Sequence, residues 1–398
     1  MSRAYNIADL QAAARRRLPG VLWRFLEGGA EDEVTLRANR AAFEAIHFAP
    51  RTLLNVSQRS QQLTVFGIPY DSPIGISAMA PLGLCGNGAD IALARAARVA
   101  NVPFMLSTHA MTKLQRVVKE AGAAPWFQIY PQTNRGAAES ELECARRAGC
   151  EVVVVTSDVP VRGNREYNDR SGFGVPLRIG LRAIAEGLMH PRWLVDVYFR
   201  SIFGRRVAES RTRRDMHDWA DFTWLRDKWP GKMVIKGILT VEDARLAMEH
   251  GADGIVISNH GGRQLDGAPA TLEVLPHIAA AVGGRMAVFL DGGIRRGADV
   301  VKALALGADM AFVGRAALYG VAAGGEAGAR RALEILRSEV DRVLALLGCN
   351  SIAELGPQHL RLPGLMPARR PASEPQNSPA PDQRVHWLER GTGSGSSD

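Results

Sequence analysis

Eight short apolar runs, at 73–77, 104–107, 126–130, 152–157, 233–236, 254–258, 287–291 and 310–313, constrain this chain more than any other feature. Each is too short for a helix and rich in β-branched or aromatic residues, as suits a strand buried on both faces. Between most of them lie stretches of helical spacing, at 90–100, 112–121, 135–148, 241–250, 271–282 and 297–306. Such alternation predicts parallel strands joined by helices, closing as a (β/α)8 barrel over about residues 64–350. Gly251-Ala252-Asp253, Gly307-Ala308-Asp309 and Ala148-Gly149 mark helix ends turning into the next strand. An open doubly wound sheet is the competing arrangement, but no glycine-rich fingerprint follows the first strand.

Before the barrel, residues 6–17 have alanine-rich helical spacing with Asn6 as N-cap. Pro19 and Gly20 break that helix, a second piece covers 21–26 up to Gly28-Gly29, and 31–45 resumes the helical pattern. These are lead-in helices outside the repeat. Between the fourth and fifth strands lie roughly seventy-five residues, far more than the usual two to six of such a connection. The insertion, about 175–218, interleaves Leu188, Trp193, Leu194, Val197, Tyr198, Phe199, Ile202 and Phe203 with arginines. That composition suits a segment lying in a membrane interface, over about 177–214, or a lid helix packed on the barrel. Residues 219–229 read as a helix feeding the fifth strand. Beyond residue 362 proline, serine, glycine and charge dominate, so 363–398 is expected to be a flexible tail.

Composition narrows the class. The chain has 398 residues, 46% of them hydrophobic, and no apolar run near the ~18 residues of a spanning helix. Its start lacks the apolar core and cleavage site of a secretory signal. Cys85, Cys144, Cys150 and Cys349 have no metal-type spacing, so reduced thiols in a cytoplasmic setting and no metal site are expected. The net charge of +8 is concentrated locally, with Arg200, Arg205, Arg206, Arg211, Arg213 and Arg214 close together, and implies no nucleic-acid partner.

The carboxyl ends of barrel strands are where chemistry sits. There the chain places Ser77-Ala78-Met79-Ala80, Ser107-Thr108-His109, Gln128 and Tyr130, Thr156 and Asp158 followed by Arg165, and Lys236-Gly237. The sixth run opens into SNHGGRQLDG, residues 258–267, and the last two end in Asp291-Gly292-Gly293-Ile294-Arg295-Arg296 and Gly314-Arg315. His260 and Arg263 combine a base that titrates near neutrality with a fork of donors that grips a carboxylate. Paired glycines let backbone approach a flat ligand. Glycines and arginines after strands seven and eight suit a phosphate, with Arg295 and Arg315 as its clamps. Gln128, Thr156 and Lys236 supply hydrogen bonds and one positive charge to a polar heterocycle such as a flavin. Taken singly, each of these residues also has a structural explanation, as an ion pair or a satisfied core histidine.

From about residue 4 to 360 the chain resembles the FMN-dependent family of L-2-hydroxy acid oxidases and dehydrogenases, which includes glycolate oxidase, L-lactate dehydrogenase and (S)-mandelate dehydrogenase. The likeness lies in LEGGAEDE (26–33), WFQIY (126–130), VIKGI (234–238), SNHGGRQLDG and LDGGIRRG (290–297). It implies a TIM barrel over a domain of residues 1–362, bound FMN, and oxidation of a 2-hydroxy acid to a 2-keto acid. Carried over by position, His260 is the active-site base and Asp158 its supporting carboxylate. Arg263 and Arg165 bind the substrate carboxylate, and Tyr130 bonds near the hydroxyl and the cofactor. Ala78, Met79, Ala80, Ser107, Gln128, Thr156, Lys236, Ser258, Asp291, Gly292, Gly293, Arg295, Gly314 and Arg315 match flavin-contacting positions.

Two substrate positions depart from the family pattern. Phe25 stands where tyrosine is usual, removing one donor worth about 1.5–3 kcal/mol to a charged group. His109 stands where glycolate oxidase has a tryptophan. The insertion, with its HPRW turn at 190–193, resembles the membrane-binding segment of bacterial mandelate and lactate dehydrogenases. The resemblance therefore implies an (S)-2-hydroxy acid dehydrogenase acting on lactate or mandelate. It would pass electrons to a quinone or respiratory-chain acceptor at the cytoplasmic face of a bacterial inner membrane, as a homotetramer. No haem domain is read before the barrel, so a fused cytochrome is not expected. The alternatives are a soluble oxidase using oxygen, a variant with an atypical substrate, and a flavin-binding protein without turnover.

Overall fold

Residues 3–132, 134–170, 181–197 and 218–362 are described by a computed structural model of the chain. The tail and much of the insertion, and with them the expectations placed there, lie outside the described residues. Eight parallel strands form the central sheet: β1 (Ile74–Ile76), β2 (Met105–Ser107), β3 (Trp126–Ile129), β4 (Val152–Thr156), β5 (Lys232–Ile238), β6 (Gly254–Ile257), β7 (Ala287–Leu290) and β8 (Met310–Val313). β8 pairs with β1 through Ala311 opposite Ile74, and a parallel bridge between Ile76 and Phe104 joins β1 to the edge of β2. The expected TIM barrel is therefore closed, and every strand falls within two residues of its apolar run.

Alternation along the strands feeds two cores. Val152 and Val154 of β4 point with Trp126, Val234, Val256, Phe289, Met310 and Phe312 into the barrel, whereas Val153 and Val155 join the layer under the helices. A five-residue strand buried throughout can satisfy both only because its side chains alternate faces. The inner cluster is closed at the amino ends of the strands by a hairpin, Leu63–Val65 against Ile68–Tyr70, which the apolar pattern did not announce. Its turn residue Phe66 lies 5.8 Å from both Trp126 and Phe289, and the Tyr70 hydroxyl accepts from Trp126 Nε1 at 3.3 Å. With that mouth plugged, the carboxyl ends of the strands form the open side.

The lead-in helices are α1 (Ile7–Arg17), α2 (Gly20–Glu27) and α3 (Val34–Ala45). Asn6 caps α1 as expected, accepting from Asp9 N at 2.9 Å while Asp9 bonds back. α3 begins three residues later than the pattern suggested, because Glu31 and Glu33 adopt positive φ of 43° and 61°. A helix from Arg315 to Leu347 follows β8 without any expectation of it; non-helical Gly324 and Gly325 kink it. The described part of the insertion is helical from Leu181 to Leu188 and again at Pro191–Trp193. It is anchored on the body: Glu186 accepts from Val21 N at 2.7 Å, and Trp193 Nε1 donates to Leu84 O at 2.8 Å.

Candidate active site

The loop after β6 is shaped by three consecutive residues in the left-handed region, His260 (φ 56°), Gly261 (φ 67°) and Gly262 (φ 73°). A Cβ on Gly262 would lie 2.6 Å from the backbone of Leu36, so glycine is needed where the loop meets α3. Asn259 locks the loop to that helix through a reciprocal amide pair with Asn39, both bonds 2.8 Å, and also accepts from Gly262 N at 3.1 Å. Asp266 at the far end of the loop accepts from Val34 N (3.1 Å) and Thr35 N (2.8 Å). It thus caps α3, whose own N-cap residue Glu33 makes no capping bond, its side chain accepting instead from Gly29 N.

Held this way, His260 sets Nδ1 3.1 Å from Asp158 Oδ1, with the imidazole a quarter exposed and the carboxylate largely buried. Burial would raise the Asp158 pKa, but His260 and then Lys236 outweigh it, and the carboxyl stays below its usual range. An ionised Asp158 accepts Nδ1–H, which leaves Nε2 with the lone pair. Gly237 makes the approach possible. It sits at a bulge in β5 with φ 112°, and a Cβ there would come within 2.6 Å of Asp158 Cβ.

Lys236, on β5, is buried between strand ends: Nζ lies 2.6 Å from Ser258 Oγ and 3.2 Å from Asp291 Oδ2. Burial disfavours its charge, yet Asp291 and Asp158 more than compensate, and its pKa is raised. Asp291 Oδ2 also accepts from Ser77 Oγ at 2.7 Å, while Asp291 Oδ1 is buried with no hydrogen-bond partner. Ser258 Oγ additionally accepts from the backbone N–H of His260, so one hydroxyl joins the ammonium to the loop that carries the base.

Around this pair four arginines gather positive charge. Arg263 stacks 5.4 Å over the Phe25 ring and donates to Gly28 O; Arg165 Nε donates to Arg263 O at 3.0 Å. Arg315 donates to the carbonyls of Leu26, Glu27, Gly28 and Gly261, and Arg295 lies over the Tyr319 ring at 5.5 Å. None of these four forms an ion pair among the described residues. Burial, then Arg165 and Arg315, hold Arg263 well below the guanidinium range; burial and Arg162 push Arg165 down to about 10, and burial with Arg295 lowers Arg315. Such a cluster is a receptor for anions.

The remaining expected residues ring the same opening. His109 and Tyr130 have ring centroids 4.7 Å apart, and Ser107 Oγ accepts from His109 N. Gln128 and Thr156 are buried on β3 and β4, and Gln128 Nε2 donates to Ile129 O. Ala78, Met79 and Ala80 follow β1, with Ala80 exposed; Gly292 and Gly293 turn the chain after β7 with positive φ. Gly314, 3.6 Å at its Cβ position from Met79 Sδ, stands at the amino end of the Arg315–Leu347 helix.

The sequence profile of the FMN-dependent dehydrogenases matches residues 14–362. The chain belongs to that family. It is 38% identical over 380 residues to the (S)-mandelate dehydrogenase of Pseudomonas putida, covering 91% of this chain and 95% of the relative. To an L-lactate dehydrogenase of Pseudomonas aeruginosa it is 40% identical over 372 residues, covering 88% and 97%. The crystal structure of a monotopic membrane protein, (S)-mandelate dehydrogenase, superposes with a TM-score of 0.86 at 37% identity over 90% of this chain and 99% of that one. A mandelate oxidase variant with (S)-mandelic acid gives 0.79 at 36%, over 90% and 98%.

This FMN-dependent 2-hydroxy acid oxidoreductase has side chains that fit its cofactor. Among the described residues Lys236 has three donor hydrogens and two partners, Asp291 Oδ1 is a buried acceptor without a donor, and the four arginines form no ion pair. Asn39 was not expected to contribute, and Ser77 and Gly237, which the sequence places at strand ends, were not assigned contacts with Asp291 and Asp158. Of these only Gly237 carried a signal, a glycine inside an apolar strand.

The Asp266 cap is testable. Its carboxyl is held below the usual range because Thr35 and Val34 N–H groups outweigh a burial effect in the other direction. A lowered folded pKa gives stability that is present above the unfolded value, about 3.9, and is lost as pH falls through the folded one. Asp266→Ala should cost about 0.5–2 kcal/mol at neutral pH, with the difference shrinking below about pH 4. Urea unfolding across that range measures it, and equal midpoints at neutral pH would show that α3 does not depend on the loop.

Proposed function

We propose that this FMN-dependent dehydrogenase oxidises an (S)-2-hydroxy acid of the lactate or mandelate type to its 2-keto acid and passes the electrons to a membrane quinone. The observation that carries the reading is a base–carboxylate pair, His260 and Asp158, beside guanidinium groups that form no ion pair among the described residues. Arg263 and Arg165 would bind the substrate carboxylate, fixing the α-carbon and its hydroxyl before His260, with Tyr130 bonding the hydroxyl side. His260 Nε2 takes the substrate proton, and ionised Asp158 stabilises the imidazolium that forms. FMN, when bound, accepts the two electrons of the oxidation. Lys236, Ser258, Asp291, Gln128, Thr156 and Ser107 would hold its ring and ribityl side, and Gly292, Gly293, Arg295, Gly314 and Arg315 its phosphate. Ala78, Met79 and Ala80 would leave room for one face.

Membrane attachment is supported by the monotopic relative and by this chain's own surface. Among the described residues of the insertion, Leu188, Met189 and Val195 are exposed, although the segment is anchored by Glu186 and Trp193. No helix among the described residues is long and apolar enough to cross a membrane, so contact would be peripheral. The homotetramer and the cytoplasmic-face location are expectations of the family resemblance. An oxidase using oxygen is the second reading, favoured by the likeness to mandelate oxidase.

Anaerobic mixing of the holoenzyme with L-lactate, (S)-mandelate or glycolate tests the reaction. Bleaching of the flavin, followed by slow recovery in air and fast recovery with a quinone, is expected; fast recovery in air would make it an oxidase. His260→Ala should retain flavin and lose at least about 10²–10⁴-fold in reduction rate. Reduction at the wild-type rate would remove the base assignment. Phe25→Tyr, which restores a donor beside Arg263, should tighten binding of small 2-hydroxy acids by about tenfold or more. Unchanged affinity would mean that the substrate is not gripped at residue 25. Replacing Leu188, Met189 and Val195 together by serine should release the protein from lipid vesicles with flavin reduction intact, and retained vesicle binding would overturn the contact.

A further inference from the structure

Two loops carry the proposed chemistry, and one side chain joins them. The loop after β4 holds Asp158 and Arg165; the loop after β6 holds His260 and Arg263. Gln264 reaches from the second loop into the first. Its Nε2 donates to Asp158 O at 2.9 Å and to Val161 O at 3.0 Å. Its Oε1 accepts from Gly163 N at 3.2 Å and from Arg165 Nη2 at 3.0 Å. The carboxamide has two donor hydrogens and two acceptor lone pairs, and all four are used. Gly163 lets the loops close on it, since a Cβ there would lie 2.4 Å from Arg263 O and 2.7 Å from Gln264 Cα.

We propose that Gln264 is a positioning residue that sets the proton-accepting pair and the anion clamp in register, acting through the Asp158 backbone and the Arg165 guanidinium. This rests on the active-site reading above. No other side chain of that length offers both ends. Glutamate keeps the acceptor but loses both donors, aims negative charge at two carbonyls, and neutralises Arg165. Methionine keeps the length and loses all four bonds. Asparagine keeps the amide but is one methylene short.

The test uses FMN-loaded Gln264→Met, Gln264→Glu and Gln264→Asn, with His260→Ala as a reference. It measures kcat, KM and the affinity for phenylacetate, a carboxylate with no hydroxyl to oxidise. The methionine variant should lose about ten- to a hundredfold in kcat, as a displaced base and carboxylate would. The glutamate variant should bind phenylacetate about tenfold more weakly than the methionine variant, because the introduced charge occupies Arg165. A role confined to stability would lower thermal midpoints without separating the two in anion affinity. Wild-type kcat in the methionine variant, or equal phenylacetate affinity in the methionine and glutamate variants, overturns the inference. If the methionine variant fails to hold flavin, the asparagine variant is decisive, with a smaller kcat loss expected and wild-type kcat overturning. Normal flavin reduction by His260→Ala would instead remove the active-site reading itself.

Discussion

A histidine forced into the left-handed region, followed by two glycines in the same region, is the constraint on which this structure turns. A non-glycine residue at φ 56° carries a strain of the order of 1 kcal/mol, and such strain persists only where surrounding bonds over-determine it. Here those bonds are numerous. The Asn39–Asn259 amide pair and the Asp266 cap tie the loop to α3, and Ala30 N donates to Gly262 O. The strain buys a geometry that a relaxed strand end could not give: the imidazole is turned back toward Asp158 on a different loop.

The electrostatics follow from that closure. Bringing Arg165, Arg263 and Arg315 together at one opening raises their mutual repulsion, and burial adds to it. A fold that gathers such charge with no direct ion pair among the described residues gains when anions arrive, one a carboxylate and one a phosphate in the proposed function. Nearby negative groups are bonded elsewhere: Asp158 to His260, Asp291 to Lys236, Glu27 to Tyr319 and Gln11, and Glu33 to Gly29 N. Plugging the opposite mouth of the barrel with Phe66 and Tyr70 leaves this electropositive end as the accessible one.

Much of this was legible in the residues. The strands were readable because a strand buried on both faces needs an unbroken apolar run, and eight such runs at this spacing admit few folds. The site residue types were readable because they fall where each run stops. Less was readable where the physical signal is weak or distant. The helix after β8 escaped because Gly324 and Gly325 interrupt its periodicity, and the barrel plug because its two strands have only three residues each and one contains Pro69. Asn39 and Ser77 gave no sign of their roles, since their partners lie 220 and 214 residues away along the chain.

By itself, then, the sequence determined the barrel, the family, and which functional groups stand at the strand ends, because periodicity and local motifs act over a few residues. Tertiary structure alone decided which groups meet. The His260–Asp158 pair was expected from the family resemblance, but that Lys236 answers Asp291, that Phe25 lies beneath Arg263 and that Gln264 spans two loops all depend on contacts over large sequence separations. Distances of that kind are set by closure of the barrel and by the cap and amide bonds on α3, and no local pattern of residues encodes them.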